Sequence, residues 1–115
     1  MTIRDLRGLV GVVAGVNVKL AKCGGIGPAR AMLAEARALG FRTFLGCMEE
    51  TSVGIAASAV VAPLADWVDL DGNLLLADDP FGGLELSADC RWLRGTAAGL
   101  GVERKTAAAD TGESA

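Results

Sequence analysis

The chain has 115 residues, a length that suits one domain and not two. Hydrophobic residues make up 51% of it, which excludes a disordered chain, while aromatics at 4% and many small residues favour close helix–strand packing over a thick aromatic core. A formal charge of −3 with no basic cluster excludes nucleic acid as a partner, and three widely spaced cysteines without any histidine exclude a zinc site or a disulfide framework.

The opening "MTIRDLRGLVGVVAGV" sets Arg4, Asp5 and Arg7 ahead of a short apolar run. That run is too short to span a bilayer and lacks a cleavage signature, so no membrane role and a cytoplasmic location are expected. Residues 2–14 read as an amphipathic helix, with Leu6, Leu9, Val10 and Val13 at helical spacing and Gly15 ending it. "VNVKL" follows as a strand whose Val16, Val18 and Leu20 share one face and whose Asn17 and Lys19 share the other. "AKCGGIGPAR" reads as a loop, with Pro28 in the first turn of a helix that runs through "ARAMLAEARAL" and stops at Gly40. "FRTFLGC" is the second strand. Thr51 or Ser52 caps a helix, "VGIAASAVVA", that ends near Pro63, and "DWVDLDG" is a third strand closed by an Asp-Gly turn. Beyond Gly72, "NLLLADDPFGG" is apolar and then turn-like, "LELSADCRWL" predicts a hairpin, and residues 104–115 carry no core-forming pattern and read as a loose tail.

Helices and strands alternating at this rhythm predict an α/β fold with a parallel sheet. Strands recur roughly every 25 residues, the share of one βα unit in a (β/α)₈ barrel of about 250 residues. Three parallel strands leave two open edges, so length and rhythm together predict an incomplete barrel whose edges favour association.

In such a barrel the functional groups stand at the carboxyl ends of the strands. Lys19 and Lys22 stand at the first, Cys47, Met48, Glu49 and Glu50 at the second, and Asp69 and Asp71 at the third, two residues apart and so on one face. Each has a plainer reading. Lys19 either snorkels to water or faces a pocket that needs an amine. Asp71 before Gly72 suits a turn, and Glu49 and Glu50 suit the first turn of the next helix as well as a pocket. Asp69, between Val68 and Leu70, is expected to point inward. "CGGIGP" lacks the Gly-Lys-Ser/Thr of a phosphate loop, and Cys23 and Cys90 have no activating neighbour in sequence.

The stretches "VNVKLAKCGG", "LGCMEET", "VDLDGNLLLADDPFGG" and "GLGV" resemble, in order and spacing, the C-terminal part of the enolase superfamily, and most closely its dipeptide epimerases of the L-Ala-D/L-Glu epimerase type. The resemblance covers residues 1–103 and implies about strands 6 to 8 of a TIM-like barrel, with 104–115 outside it. It implies an isomerase that inverts an α-carbon by proton transfer through an enolate, with Mg²⁺ as cofactor and a dipeptide as substrate. Lys19 matches the catalytic lysine of the sixth strand. Asp69 and Asp71 match the pair that holds the α-ammonium of the dipeptide, Cys47 and Met48 match pocket-lining positions, and Glu50 matches a recurring acid. Other members, such as muconate cycloisomerases and o-succinylbenzoate synthases, share the frame. The implied metal ligands and the opposing lysine match nothing in the chain. The expectation is therefore a fragment inactive alone, a half that pairs with an N-terminal partner, or a non-catalytic βα assembly domain.

Overall fold

A computed structural model describes residues 1–106. Strands β1 (Gly15–Lys19), β2 (Arg42–Gly46) and β3 (Trp67–Val68) form one parallel sheet in that order. Helices α1 (Leu20–Cys23) and α2 (Ile26–Ala38) connect the first two strands, and α3 (Ser52–Ala59) lies in the second connection. Parallel neighbours need such crossovers, and the architecture is α/β as the alternation predicts.

The core lies on one face of the sheet. Val16 and Val18 of β1, Leu45 of β2 and Leu70 beyond β3 point into it. Ala29, Met32, Leu33 and Ala36 of α2 meet them at the i, i+3, i+4, i+7 spacing of a helix stripe, together with Ile55 of α3. Gly40, at φ +86°, then turns the chain into β2 in a conformation that favours glycine. Asp66 binds β3 to β2 at the amino end of the sheet. Its carboxylate accepts the Thr43 N–H at 2.8 Å, and its own N–H donates to the Thr43 carbonyl at 3.0 Å. The Thr43 backbone bond holds the Asp66 carboxyl below its ordinary value, with help from the Thr43 hydroxyl, Arg42 and Arg37.

Three expectations are corrected. The helix predicted over 2–14 is a 3₁₀ helix over Ile3–Leu9. Leu6 is buried and Leu9 is half-buried, but Val10 and Val13 are exposed. Gly11, at φ +79°, belongs to the turn that ends the helical path early, and Gly15 opens β1 instead of closing a helix. The predicted loop after β1 contains the short α1, ended by Gly24 at φ +111°. The third strand is shorter than "DWVDLDG", because the chain winds into a 3₁₀ turn over Gly72–Leu75.

Beyond that turn the sequence is built from antiparallel pairs. β4 (Phe81–Gly82) pairs with β7 (Glu103–Arg104), and β5 (Leu84–Leu86) pairs with β6 (Trp92–Arg94) as the predicted hairpin. Arg104, assigned to the tail, lies in β7, and the Lys105 N–H donates to the Pro80 carbonyl at 2.8 Å. The remainder of the expected tail, 107–115, lies outside the described residues. Among the described residues no helix is long and apolar enough to cross a membrane.

Candidate active site

The other face of the sheet, turned away from the helices, carries the polar side chains. Strand alternation puts Asn17 and Lys19 there while Val16 and Val18 go to the core. The register sets Asn17 beside Phe44 and Phe44 beside Trp67, and it sets Lys19 beside Gly46. The Asp69 N–H donates to the Leu45 carbonyl at 2.9 Å, which continues the β2–β3 ladder and brings Asp69 alongside Gly46. Lys19, Gly46 and Asp69 thus form one row across three strands. With strands about 4.8 Å apart, the Lys19 and Asp69 backbones stand roughly 10 Å apart.

Gly46 is the gap in that row. A Cβ there would lie 2.8 Å from Asn17 Oδ1 and 3.2 Å from Lys19 Cε. Both side chains therefore lie across the bare backbone of β2. The Lys19 ammonium comes within 3.9 Å of Met48 Sδ, just beyond the carboxyl end of β2. A thioether is a weak acceptor, so this contact holds the amine only loosely.

The loops behind the row are tightly fixed. Gly72 abuts the Met48 carbonyl so closely that any side chain would overlap it. The Cys47 thiol lies 3.9 Å from Asp71 Oδ1, and the Asp71 carbonyl accepts the Leu74 N–H at 2.9 Å. Cys47, Met48 and Asp71 therefore gather at one mouth. Glu50 bends back onto its own loop. Its carboxylate accepts the Met48 N–H at 3.3 Å and packs against Gly54 in the first turn of α3.

Asp69 and Asp71 are exposed, and among the described residues neither they nor Lys19 joins a salt bridge. A carboxylate pair without a cation, beside an amine without an anion, is chemically suited to a ligand that carries both charges. A metal ion is another matter. Among the described residues no three Asp, Glu, Cys or His side chains converge.

Two supports of the mouth carry no local signal in the sequence. Asp79 reaches back to cap α3: its carboxylate accepts both the N–H and the hydroxyl of Ser52, and also the Phe81 N–H at 3.1 Å. Burial pushes the Asp79 carboxyl up, but the Ser52 and Phe81 hydrogen bonds and Lys105 outweigh it, and the net shift is downward. Asn73 donates to the Ser52 hydroxyl at 3.3 Å, which joins the turn after Asp71 to the same cap. The Trp92 indole N–H donates to the Leu70 carbonyl at 2.7 Å. A signal did exist for Gly46, since a glycine inside a strand marks close approach by a neighbour.

No family model matches the chain. It is 58% identical over 65 residues to an L-Ala-D/L-amino acid epimerase of Flavobacterium johnsoniae, covering 56% of this chain and 19% of that protein. Its backbone superimposes with a TM-score of 0.65 on an enolase family member from Agrobacterium tumefaciens with homology to dipeptide epimerases, solved with sodium and L-Ala-L-Glu. That match has 46% identity and covers 68% of this chain and 24% of that one. A dipeptide epimerase from Methylococcus capsulatus, complexed with Mg and L-Arg-D-Lys, gives a TM-score of 0.75 at 35% identity, over 88% of this chain and 30% of its own. The chain spans about a fifth to a quarter of the length of the curated relatives it matches, 19% of one and 26% of another. Within that stretch, sequence and backbone together relate this chain to the dipeptide epimerases of the enolase superfamily.

Proposed function

We propose that residues 1–103 supply the sixth to eighth strands of a (β/α)₈ barrel and one side of a dipeptide epimerase site. Lys19 moves the proton of the substrate α-carbon, as a base in its neutral form and as an acid in its ammonium form. Asp69 and Asp71 hold the α-ammonium of the dipeptide through charge-assisted hydrogen bonds. Cys47 and Met48 line the mouth, and Glu50 fixes the loop that carries them. The observation that carries this reading is the row Lys19–Gly46–Asp69, in which an amine and an acid flank a strip of bare backbone. A strip about two strand spacings wide accommodates a peptide backbone between the two groups.

Inversion also needs an acid–base group on the opposite side of the α-carbon. Neither it nor the metal ligands are assigned among the described residues, and the remainder of the barrel is the proposed source of both. Among the described residues the outer sides of β1 and β3 carry no partner strand, and there that remainder, as the same or another polypeptide, would pair. The same edges favour a second reading, a non-catalytic assembly module.

Exchange of the α-proton of L-Ala-L-Glu in D₂O with Mg²⁺ separates the two. The chain alone is expected to give no exchange, and together with a polypeptide that supplies the metal ligands it is expected to exchange. In that completed enzyme Lys19→Ala abolishes exchange, and Asp69→Asn raises the dipeptide KM roughly tenfold with a smaller effect on kcat. Undiminished exchange in Lys19→Ala removes the lysine from the chemistry.

A further inference from the structure

The carboxylate pair stands at the edge of the sheet. β3 is an edge strand, paired with β2 on one side only among the described residues. Its ladder to β2 continues through the Asp69 N–H, but the next residue, Leu70, presents its carbonyl elsewhere. Leu70 itself is buried, 6% exposed, so an unpaired carbonyl there would be costly. Asp69 and Asp71 are its two neighbours in sequence, and both reach solvent. Their mutual geometry depends on what fixes the peptide between them.

We propose that Trp92 is a positioning residue for the Asp69–Asp71 pair. Its indole N–H takes the Leu70 carbonyl at 2.7 Å, a short and well-formed bond for a nitrogen donor. The indole is half-buried and packs against the core, so its ring is held as well as its N–H. Trp92 opens β6 and pairs with Leu86 across the hairpin. The turn of that hairpin is closed by several bonds. Ser87 N–H donates to the Arg91 carbonyl at 2.9 Å, Arg91 N–H donates to the Ser87 hydroxyl at 3.0 Å, and Cys90 N–H donates to the Ser87 carbonyl at 3.0 Å. Cys90, at φ +62°, adopts a left-handed conformation to complete the turn. The hairpin therefore delivers one donor to the carbonyl of the buried residue between the two aspartates. A groove of about 620 Å³ runs beside this contact, with Asp69, Asp71, Arg91 and Trp92 in its wall. Tryptophan suits this duty because it combines a large packing surface with a single fixed donor, which phenylalanine lacks.

The role of the pair as an ammonium clamp is the function proposed above, and the Trp92 assignment rests on it for its purpose but not for its test. Trp92→Phe keeps the ring and removes the donor. In the full chain without ligand, the amide resonances of Asp69, Leu70 and Asp71 are expected to shift, and hydrogen exchange of the Asp69 amide, which donates to the Leu45 carbonyl, to accelerate by about fivefold, the weight of one hydrogen bond. The amides of Val16, Val18 and Leu45 are expected to keep their positions. In the unmodified chain, the Trp92 indole N–H is expected to exchange more slowly than a solvated indole, a reading that needs no variant. An indole that exchanges freely, or a Trp92→Phe spectrum unchanged at Asp69 and Asp71, overturns the assignment. Changes spread evenly through the core also overturn it, because they mark a general loss of packing. Titration with L-Ala-L-Glu is the separate arm. If the pair moves in Trp92→Phe but the unmodified chain, completed by a metal-holding polypeptide, takes up no dipeptide, the ammonium clamp falls and the anchoring role of Trp92 stands.

Discussion

Gly46→Ala separates the stability of this fold from the chemistry of its mouth. The added methyl would stand 2.8 Å from Asn17 Oδ1 and 3.2 Å from Lys19 Cε, against the 3.4 Å at which ordinary contacts begin. Both atoms are far along flexible side chains, so they swing aside instead of breaking the sheet. Off-rotamer adjustment of two such side chains costs about 0.5–1.5 kcal/mol each at most. Alanine in a strand interior regains roughly 0.5–1 kcal/mol of backbone entropy over glycine. The adjustment outweighs the gain, and the midpoint of urea unfolding is expected to fall by the equivalent of no more than about 2.5 kcal/mol. The amine, however, is displaced from the strip it crosses. Lys19 Cε has to give by only a few tenths of an ångström, a fraction of the roughly 1 Å misplacement that costs a reaction about 100-fold, so a loss of several-fold is expected. Urea denaturation of the variant and α-proton exchange in the completed enzyme check both halves. Full exchange activity in Gly46→Ala would show that Lys19 does not work from across β2, and a loss of stability well above about 2.5 kcal/mol would show that the row is part of the core.

Asp79→Ala leaves the Ser52 N–H and the start of α3 without their acceptor, and is expected to cost about 1–2 kcal/mol by thermal or urea melting near neutral pH. The native carboxyl is held below its ordinary 3.8, so the folded state binds fewer protons than the unfolded state as pH falls through this range. The stabilisation is complete above the unfolded value and disappears as pH drops through the lower native one, so the stability curves of Asp79→Ala and the unmodified chain are expected to converge in acid. Gly72→Ala forces a methyl against the Met48 carbonyl, which is backbone and has no rotamer to change. A loss of about 1–3 kcal/mol is expected, with displaced amide resonances at both Met48 and Gly72. Unaltered resonances there would mean that the two loops are not in register as described.

The parts of this fold that the sequence discloses are those set by local periodicity. Val16, Val18 and Leu20 alternate with Asn17 and Lys19, and the structure keeps that division between core and mouth. The stripe Ala29, Met32, Leu33 and Ala36 and the terminating Gly40 fix α2 within a few residues. The spacing of Asp69 and Asp71 puts both on one side of Leu70, which is buried while they are exposed. Local reading fails where periodicity competes with glycine. Leu6, Leu9, Val10 and Val13 share a helical face on paper, yet the 3₁₀ helix stops at Leu9 and Gly11 turns the chain, which leaves the last two valines in water. It fails again where a side chain acts across the chain. Nothing near Ser52 announces Asp79, and nothing near Leu70 announces Trp92, because each bond joins segments more than twenty residues apart. Glu50 suits either a helix start or a pocket by type alone, and its bond to Met48 depends on the loop between them.

The cap on α3 has a consequence for the order in which this chain acquires its structure. Ser52 waits for a carboxylate 27 positions further on. During synthesis the first turn of α3 therefore emerges with its leading amides still hydrated, and a helix of eight residues has little intrinsic reason to persist in that condition. Closing a loop of that length carries an entropic charge that only the packing of the intervening β3 and its turn can repay. The β1–β2 pairing closes a loop of the same 27 positions, so loop length sets no order between it and the cap; what sets α3 apart is that its leading amides gain their acceptor only once Asp79 has arrived.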